Sequence, residues 1–492
     1  MIRGTTGGDN PALLHLAADN IHIGTVELLF GNGASIDQDS NTLLHYAAKG
    51  GYTDTVKLLL DKGAPIEVMN SNNDTPLHLA AMNGHTYVVE LLLRNGALTK
   101  VVNKYHSVPL HLAVWKGHTG IVELLLRAGA SAEPRGQYNN TPLHVAAGMG
   151  HTKVVELLLG ESASPEAMNK DISTPLHIAA QNGHAGVVEQ LLRNGASTEV
   201  VDTYNSVPLH LAAWHGHTNI VELLVKEGAS VEPRGQYDNT PLHLAAQGHT
   251  GIVEILLDKG ASIGSTNKYG NTPLHVAAEM DHIGVVELLL REGAPIEAMN
   301  NDINTPLHLA AQNGHAMTVE LLLRNGALTK VVNTYKSVTL HLAAGKGHTD
   351  IVELLLRKGA SIEHRGQYDN TPLHLAAHDG HTSLVELLLR KGASIGAMNQ
   401  YGNTPLHVTA TMGHTDVVEL LLSKGASLEP TDKNNNALMH LAAQYGHAGI
   451  VELFSGKGLQ LKLRAHTAEH RCIPLQWVVI LVWQGYFSAK VL

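Results

Sequence analysis

From Asn304 to Ala327 the chain reads N-T-P-L-H-L-A-A-Q-N-G-H-A-M-T-V-E-L-L-L-R-N-G-A, and nearly everything else in it is a copy of that stretch. Its histidine, His308, recurs at His15, His45, His78, His111, His144, His177, His210, His243, His275, His341, His374, His407 and His440. Of the thirteen intervals between neighbours, eleven are 33 residues, one is 30 (His15 to His45) and one is 32 (His243 to His275). Each part of the copy has a physical job. The Thr305 hydroxyl is suited to accept an orphan N–H at a helix start. Pro306 fits the first helical position, where a missing N–H costs nothing. The spacing predicts a short helix ending near Gly314. A second helix follows, carrying Val319, Leu321, Leu322 and Leu323, too apolar to be left in water. Gly326 then supplies a left-handed cap, and residues 327–337 read as an extended, turn-rich connection.

A period near 33 residues bearing T-P-L-H-x-A marks ankyrin repeats, and over residues 10–458 the chain resembles that family. The resemblance implies an all-α repeat solenoid of about fourteen helix–loop–helix units joined by hairpin-like connections. No unit can bury its apolar face alone, so stacking supplies the core. The resemblance also implies that the T-P-L-H histidine is a hydrogen-bonding structural residue. The expected domain division is a repeat array over residues 1–458 and a degenerate or irregular tail over 459–492.

Copies depart from the pattern in readable ways. Val108, Val207 and Val338 replace the capping threonine, so weaker helix starts are expected there, with Ser107, Ser206 and Ser337 as substitute caps. Ser162 stands where other repeats have glycine, in a region that costs a side chain roughly 1–2 kcal/mol. Gln247-Gly248-His249 is one residue short and predicts a local irregularity. Glutamates at Glu90, Glu123, Glu287, Glu320 and Glu386 precede an arginine by four positions, which favours an exposed, ion-paired helix face. A four-repeat period overlies the short one: the repeats at His177, His210, His243 and His275 resemble those at His308, His341, His374 and His407 in order.

Composition excludes several functions. The net charge of −10 gives no basic excess for a nucleic-acid partner. A single cysteine, Cys472, allows no internal disulfide, and the N-terminus lacks a signal-peptide core, so a reducing, cytoplasmic location is expected. The 33 histidines invite a metal site, but equivalent rings recur once per repeat without the short paired spacings of zinc ligands. No metal and no cofactor is expected. No phosphate-cradling loop or nucleophile motif is present, so no enzyme is expected.

What remains is a surface. The family resemblance implies a protein-binding scaffold that uses hairpin tips and the concave first-helix face, where these copies also differ most. Trp115-Lys116 and Trp214-His215 share one slot near the end of a first helix, in repeats three apart. R-G-Q-Y tips supply Arg135 and Tyr138, Arg234 and Tyr237, and Arg365 and Tyr368. Tryptophan, tyrosine and arginine are common interface anchors. The competing reading of R-G-Q-Y is a turn copied along with its repeat. The expected molecule is a monomer binding a protein partner. The alternative is a membrane-associated adaptor anchored by the apolar run 473–489, which is short for a spanning helix and also faintly echoes a decayed repeat.

Overall fold

Proline just inside most first helices and glycine just past most ends bound the helices in the sequence. The computed structural model, which describes residues 41–457 apart from Asn435, has its helices there. Among the described residues, 26 α-helices follow one another in pairs and there is no β-strand. The copy at His308 forms a first helix, Pro306–Asn313, and a second, Ala316–Arg324. Gly314 (φ 85°) ends the first and Gly326 (φ 94°) follows the second, both in the left-handed region that glycine enters without a Cβ clash. Val319, Leu322 and Leu323 are buried, and Leu321 is half-buried. Truncating a leucine as enclosed as Leu322 costs about 2–5 kcal/mol. The repeat at His15 and the tail 459–492 lie outside the described residues.

The described chain divides into two compact units, residues 41–245 with 251–262, and residues 246–250 with 263–457. In the first, first helices pack in series from Leu43–Gly50 to Pro241–Ala245, and second helices from Thr53–Asp61 to Thr218–Lys226. In the second, the series run from Pro273–Glu279 to Leu438–Gln444 and from Ile283–Arg291 to Ala448–Gly456.

The valine-capped helices keep a cap that the sequence did not show. At every described helix start of this kind, the signature ring itself reaches back. His308 Nδ1 accepts the Thr305 main-chain N–H at 3.2 Å, and His111, His210 and His341 do the same for Val108, Val207 and Val338 at 3.2, 3.1 and 3.4 Å. A main-chain donor is present whatever the side chain, so valine keeps this bond and loses only the hydroxyl contact. Ser107, Ser206 and Ser337 do not substitute as caps: no helix-start N–H bonds their hydroxyls, the Ser337 hydroxyl donates to Tyr335 O, and their main-chain N–H groups donate to Asn103, Asp202 and Asn333.

Three further departures have local causes. The missing residue near Gly248 shortens its first helix to Pro241–Ala245, and Gly248 opens to φ 119°. Ser162 adopts φ 65°, while a Cβ added at the equivalent Gly129 or Gly195 would touch nothing, so its cost is backbone strain alone. Thr339 replaces the usual proline, and its buried hydroxyl has no hydrogen-bond partner. The glutamate–arginine expectation holds in part. Glu90–Arg94 (2.5 Å), Glu123–Arg127 and Glu320–Arg324 (2.6 Å) form, but Arg291 pairs with Glu292 and Glu386 with Lys424. All are exposed and contribute little.

Candidate functional site: hairpin tips and the first-helix face

Before any surface can bind, the tips must be held, and four kinds of bond, not all present at every junction, hold them. The first is the signature histidine. Because Nδ1 accepts a main-chain N–H, the ring proton sits on Nε2, which donates to a carbonyl of the next connection. His78 reaches Ser107 O (3.1 Å), His177 reaches Ser206 O (3.0 Å) and His275 reaches Asn304 O (2.9 Å). Burial pulls these rings below their ordinary pKa, to about 4 for His144, His275, His308, His341 and His374. A proton on Nδ1 would face the N–H groups it now accepts.

The second bond was not read from the sequence, although its residue was. The histidine between the helices points the other way. His151 Nε2 meets Trp115 O (3.2 Å) and His315 Nε2 meets Glu279 O (2.8 Å), each in the preceding repeat. Its ring lies so close to the preceding glycine that a Cβ on Gly117 would sit 2.7 Å from His151. The once-per-repeat spacing was the available signal, but spacing gives no direction.

The third is a carboxamide ladder through the tips. Asn103 Nδ2 donates to Asp74 (2.8 Å), Asn169 to Asn140 (3.0 Å), Asn333 to Asn304 (2.9 Å) and Asn399 to Asn370 (2.9 Å). The same Asn103 Oδ1 accepts the N–H groups of Tyr105 and Ser107. The fourth is a glutamate at the base of the hairpin, as where Glu133 accepts Ser164 N–H (2.6 Å) and Glu363 accepts Ser394 N–H (2.7 Å).

R-G-Q-Y tips break the ladder in a defined way. Gly136, Gly235 and Gly366 occupy the ladder position, and each follows a valine-capped repeat. A Cβ on Gly136 would come within 2.9 Å of His111 Nε2, so the ring of the preceding repeat excludes an asparagine there. Arginine takes over the junction. Arg135 donates to Asn139 O (3.2 Å) and Met168 O (2.7 Å), and Arg365 to Asp369 O (3.4 Å) and Met398 O (2.6 Å). Arg234 donates to Asp238 O (3.2 Å). Each turn then carries two consecutive non-glycine residues in the left-handed region: Tyr138 and Asn139 (φ 55° and 62°), Tyr237 and Asp238 (58° and 57°), Tyr368 and Asp369 (both 58°). The tyrosine rings remain exposed, Tyr138 at 61%. Tyr368 lies 5.8 Å from the next tip's Tyr401, ring to ring.

Trp115 ends its first helix and Trp214 stands one residue before the end of its own, 42% and 50% exposed. The Lys116 ammonium lies 4.0 Å over the Trp115 ring, and the His215 ring stacks on His217 at 6.0 Å. In the first compact unit, a groove of about 870 Å³ runs between the tips and the first helices. It brings Trp115 and Tyr138 together with Tyr46, Met82, Leu112 and Tyr105. Tyr105 shares its slot with Tyr138, a signal that was legible in the repeat alignment. Trp214 and Tyr237 do not line this groove, and Arg365 and Tyr368 belong to the second unit. Among the described residues no group of three histidine, cysteine or carboxylate side chains converges as metal ligands, and no helix is long and apolar enough to cross a membrane.

The family model described as ankyrin repeats (3 copies) matches in eight overlapping segments that run from residue 14 to residue 465. A comparison with the curated proteins found no match.

Proposed function

The chain belongs to the ankyrin-repeat family, whose repeats generally mediate contacts between proteins, and we propose that it is a non-enzymatic, monomeric cytoplasmic scaffold that holds a partner protein on its tips and first-helix face. The observation that carries this reading is the meeting of Trp115 and Tyr138 in one groove. Folding asks for neither ring there. The Trp115 slot holds Gly345 in another copy, whose helix Thr339–Gly345 forms all the same. Tyr138 occupies a left-handed conformation that glycine would take without strain. Exposed aromatic rings kept at a backbone cost favour a binding role. Arg135 and Arg365 support the surface by fixing the tips, since their guanidinium groups are occupied by main-chain carbonyls.

The test begins with a pull-down and mass spectrometry to obtain the partner, followed by calorimetric titration. Trp115→Ala and Trp214→Ala should each weaken binding by about 2 kcal/mol or more while circular dichroism stays unchanged. Full affinity in both variants, or unfolding of both, would end the proposal. The membrane-anchored alternative rests on residues 473–489, outside the described residues. Flotation of the whole chain with lipid vesicles, against a chain ending at Gly458, separates it from the scaffold reading.

A further inference from the structure

The groove of the first compact unit has a charge that the chain as a whole does not. Lys49 lines the groove; Lys104 and Lys116 are exposed beside its lining residues Tyr105 and Trp115, and the exposed Lys170 donates its main-chain N–H to Tyr138 O; none of the four is in an ion pair. Arg135 adds a fifth cation, whose hydrogen bonds go to carbonyls rather than to carboxylates. The one carboxylate lining the groove, Asp74, is buried and accepts from Asn103. Asp171 and, at a hairpin base, Glu133 are the exposed carboxylates along this run, and Glu133 accepts the Ser164 N–H. The second helices are mixed: Lys57 and Lys153 are exposed there without an ion pair, but the arginines are paired. There Arg94, Arg127 and Arg193 are each matched by Glu90, Glu123 and Glu189. Net charge over the whole chain is −10, so uncompensated cations on one face are a local concentration against an acidic background. Such a face attracts anions that the rest of the molecule repels.

Its lining decides which anion. Leu79, Leu112, Val145, Met82 and Trp115 give the groove an apolar side. Asn72, Asn83 and Gln137 add neutral hydrogen-bonding groups suited to a peptide main chain. Aliphatic walls match side chains better than bases, and five cations are few for a nucleic-acid backbone. We propose that this groove takes an extended acidic peptide bearing one aromatic or aliphatic anchor. The anchor lies against Trp115, Met82 and Leu112, and the carboxylates lie along Lys49, Lys104, Lys116 and Lys170. This rests on the scaffold reading above and adds the chemistry of the partner.

Panning a phage-displayed random dodecapeptide library on the full chain tests it. The expected result is enrichment of peptides rich in aspartate and glutamate around a large apolar residue. Their affinity should fall as salt rises, and drop about tenfold or more when the four lysines are changed together to glutamate. Changing Arg94, Arg127 and Arg193 to glutamine should leave it unaltered. Circular dichroism checks that both variants fold, and if the glutamate variant does not, the four lysines changed to glutamine serve instead. Selection of basic or uncharged peptides that still require Trp115 would overturn the acidic partner and leave the scaffold reading standing. Failure to select any Trp115-dependent peptide would count against both. Lysine-dependent binding of poly-uridine or of phosphatidylserine vesicles, without acidic peptides, would likewise overturn the proposal.

Discussion

The junctions after threonine-capped repeats and those after valine-capped repeats solve one problem with different atoms. After Thr75, Thr141 or Thr305, a carboxamide or carboxylate passes a hydrogen bond from tip to tip. After Val108 and Val338, glycine sits against the histidine ring and an arginine bonds the next tip's carbonyl. The threonine hydroxyl, the most obvious cap in the sequence, turns out to be the dispensable part. What both kinds share is a histidine Nδ1 that accepts a main-chain N–H and an Nε2 that donates onward. The lesson is that a repeat can vary its side chains freely wherever the bond is made to a main-chain group.

If the histidine is the shared element, acid should break both kinds of junction together, and this is the largest effect expected. Five of the folded rings lie near 4 against an ordinary 6.5, and burial lowers His78, His111, His177, His210 and His407 as well, so the unfolded chain binds more protons below 6.5. Stability is then fully present above about pH 6.5 and is lost as pH falls toward 4, with each ring near 4 accounting for up to about 3 kcal/mol. Urea midpoints followed by circular dichroism from pH 7.5 down to 4.5 should fall steeply below 6.5. A flat profile to pH 5 would show that the rings are not buried neutral.

The two kinds of junction separate at the next scale. Arg365→Ala removes charged donors from two carbonyls and should cost about 1.5–3 kcal/mol. Asn333→Ala removes a neutral ladder bond and leaves two N–H groups without their acceptor, and about 1–2 kcal/mol is expected. Equal losses in chemical denaturation would mean that the arginine adds nothing beyond a neutral bond.

A smaller effect tests the ladder by completing it. Asp432 stands at a ladder position but has no donor, and the buried Asn403 Oδ1 is left without a partner. Asp432→Asn should raise stability by about 1 kcal/mol. A lower midpoint would mean that the carboxylate's bond to Asn436 matters more. The smallest effect calibrates the strain in the R-G-Q-Y turns. Ser162→Gly relieves a left-handed side chain with open space around it, and the net gain should be about 0.5–1 kcal/mol once glycine's extra unfolded freedom is counted. No gain, measured by thermal melting, would remove the argument that Tyr138 is kept at a cost.

The sequence by itself determined the fold of the repeats, because helix starts, caps and core leucines are local chemistry copied at a fixed period. Pro306, Gly314, Gly326 and Leu322 each announce their place without a neighbour. It also singled out Trp115, an aromatic in a slot that elsewhere holds glycine, and Tyr138, through the R-G-Q-Y tip it shares with two other copies. The tertiary structure alone decided how repeats are tied. Nothing in the spacing of His151 says that its ring turns back to Trp115 O, or that Arg135 spends its guanidinium on Met168 O. Nor does composition reveal that Lys49 and Lys104, 55 positions apart in the chain, share one uncompensated face. Those facts depend on which atoms of neighbouring repeats come within hydrogen-bond reach. Stacking sets that distance, and periodicity does not encode it.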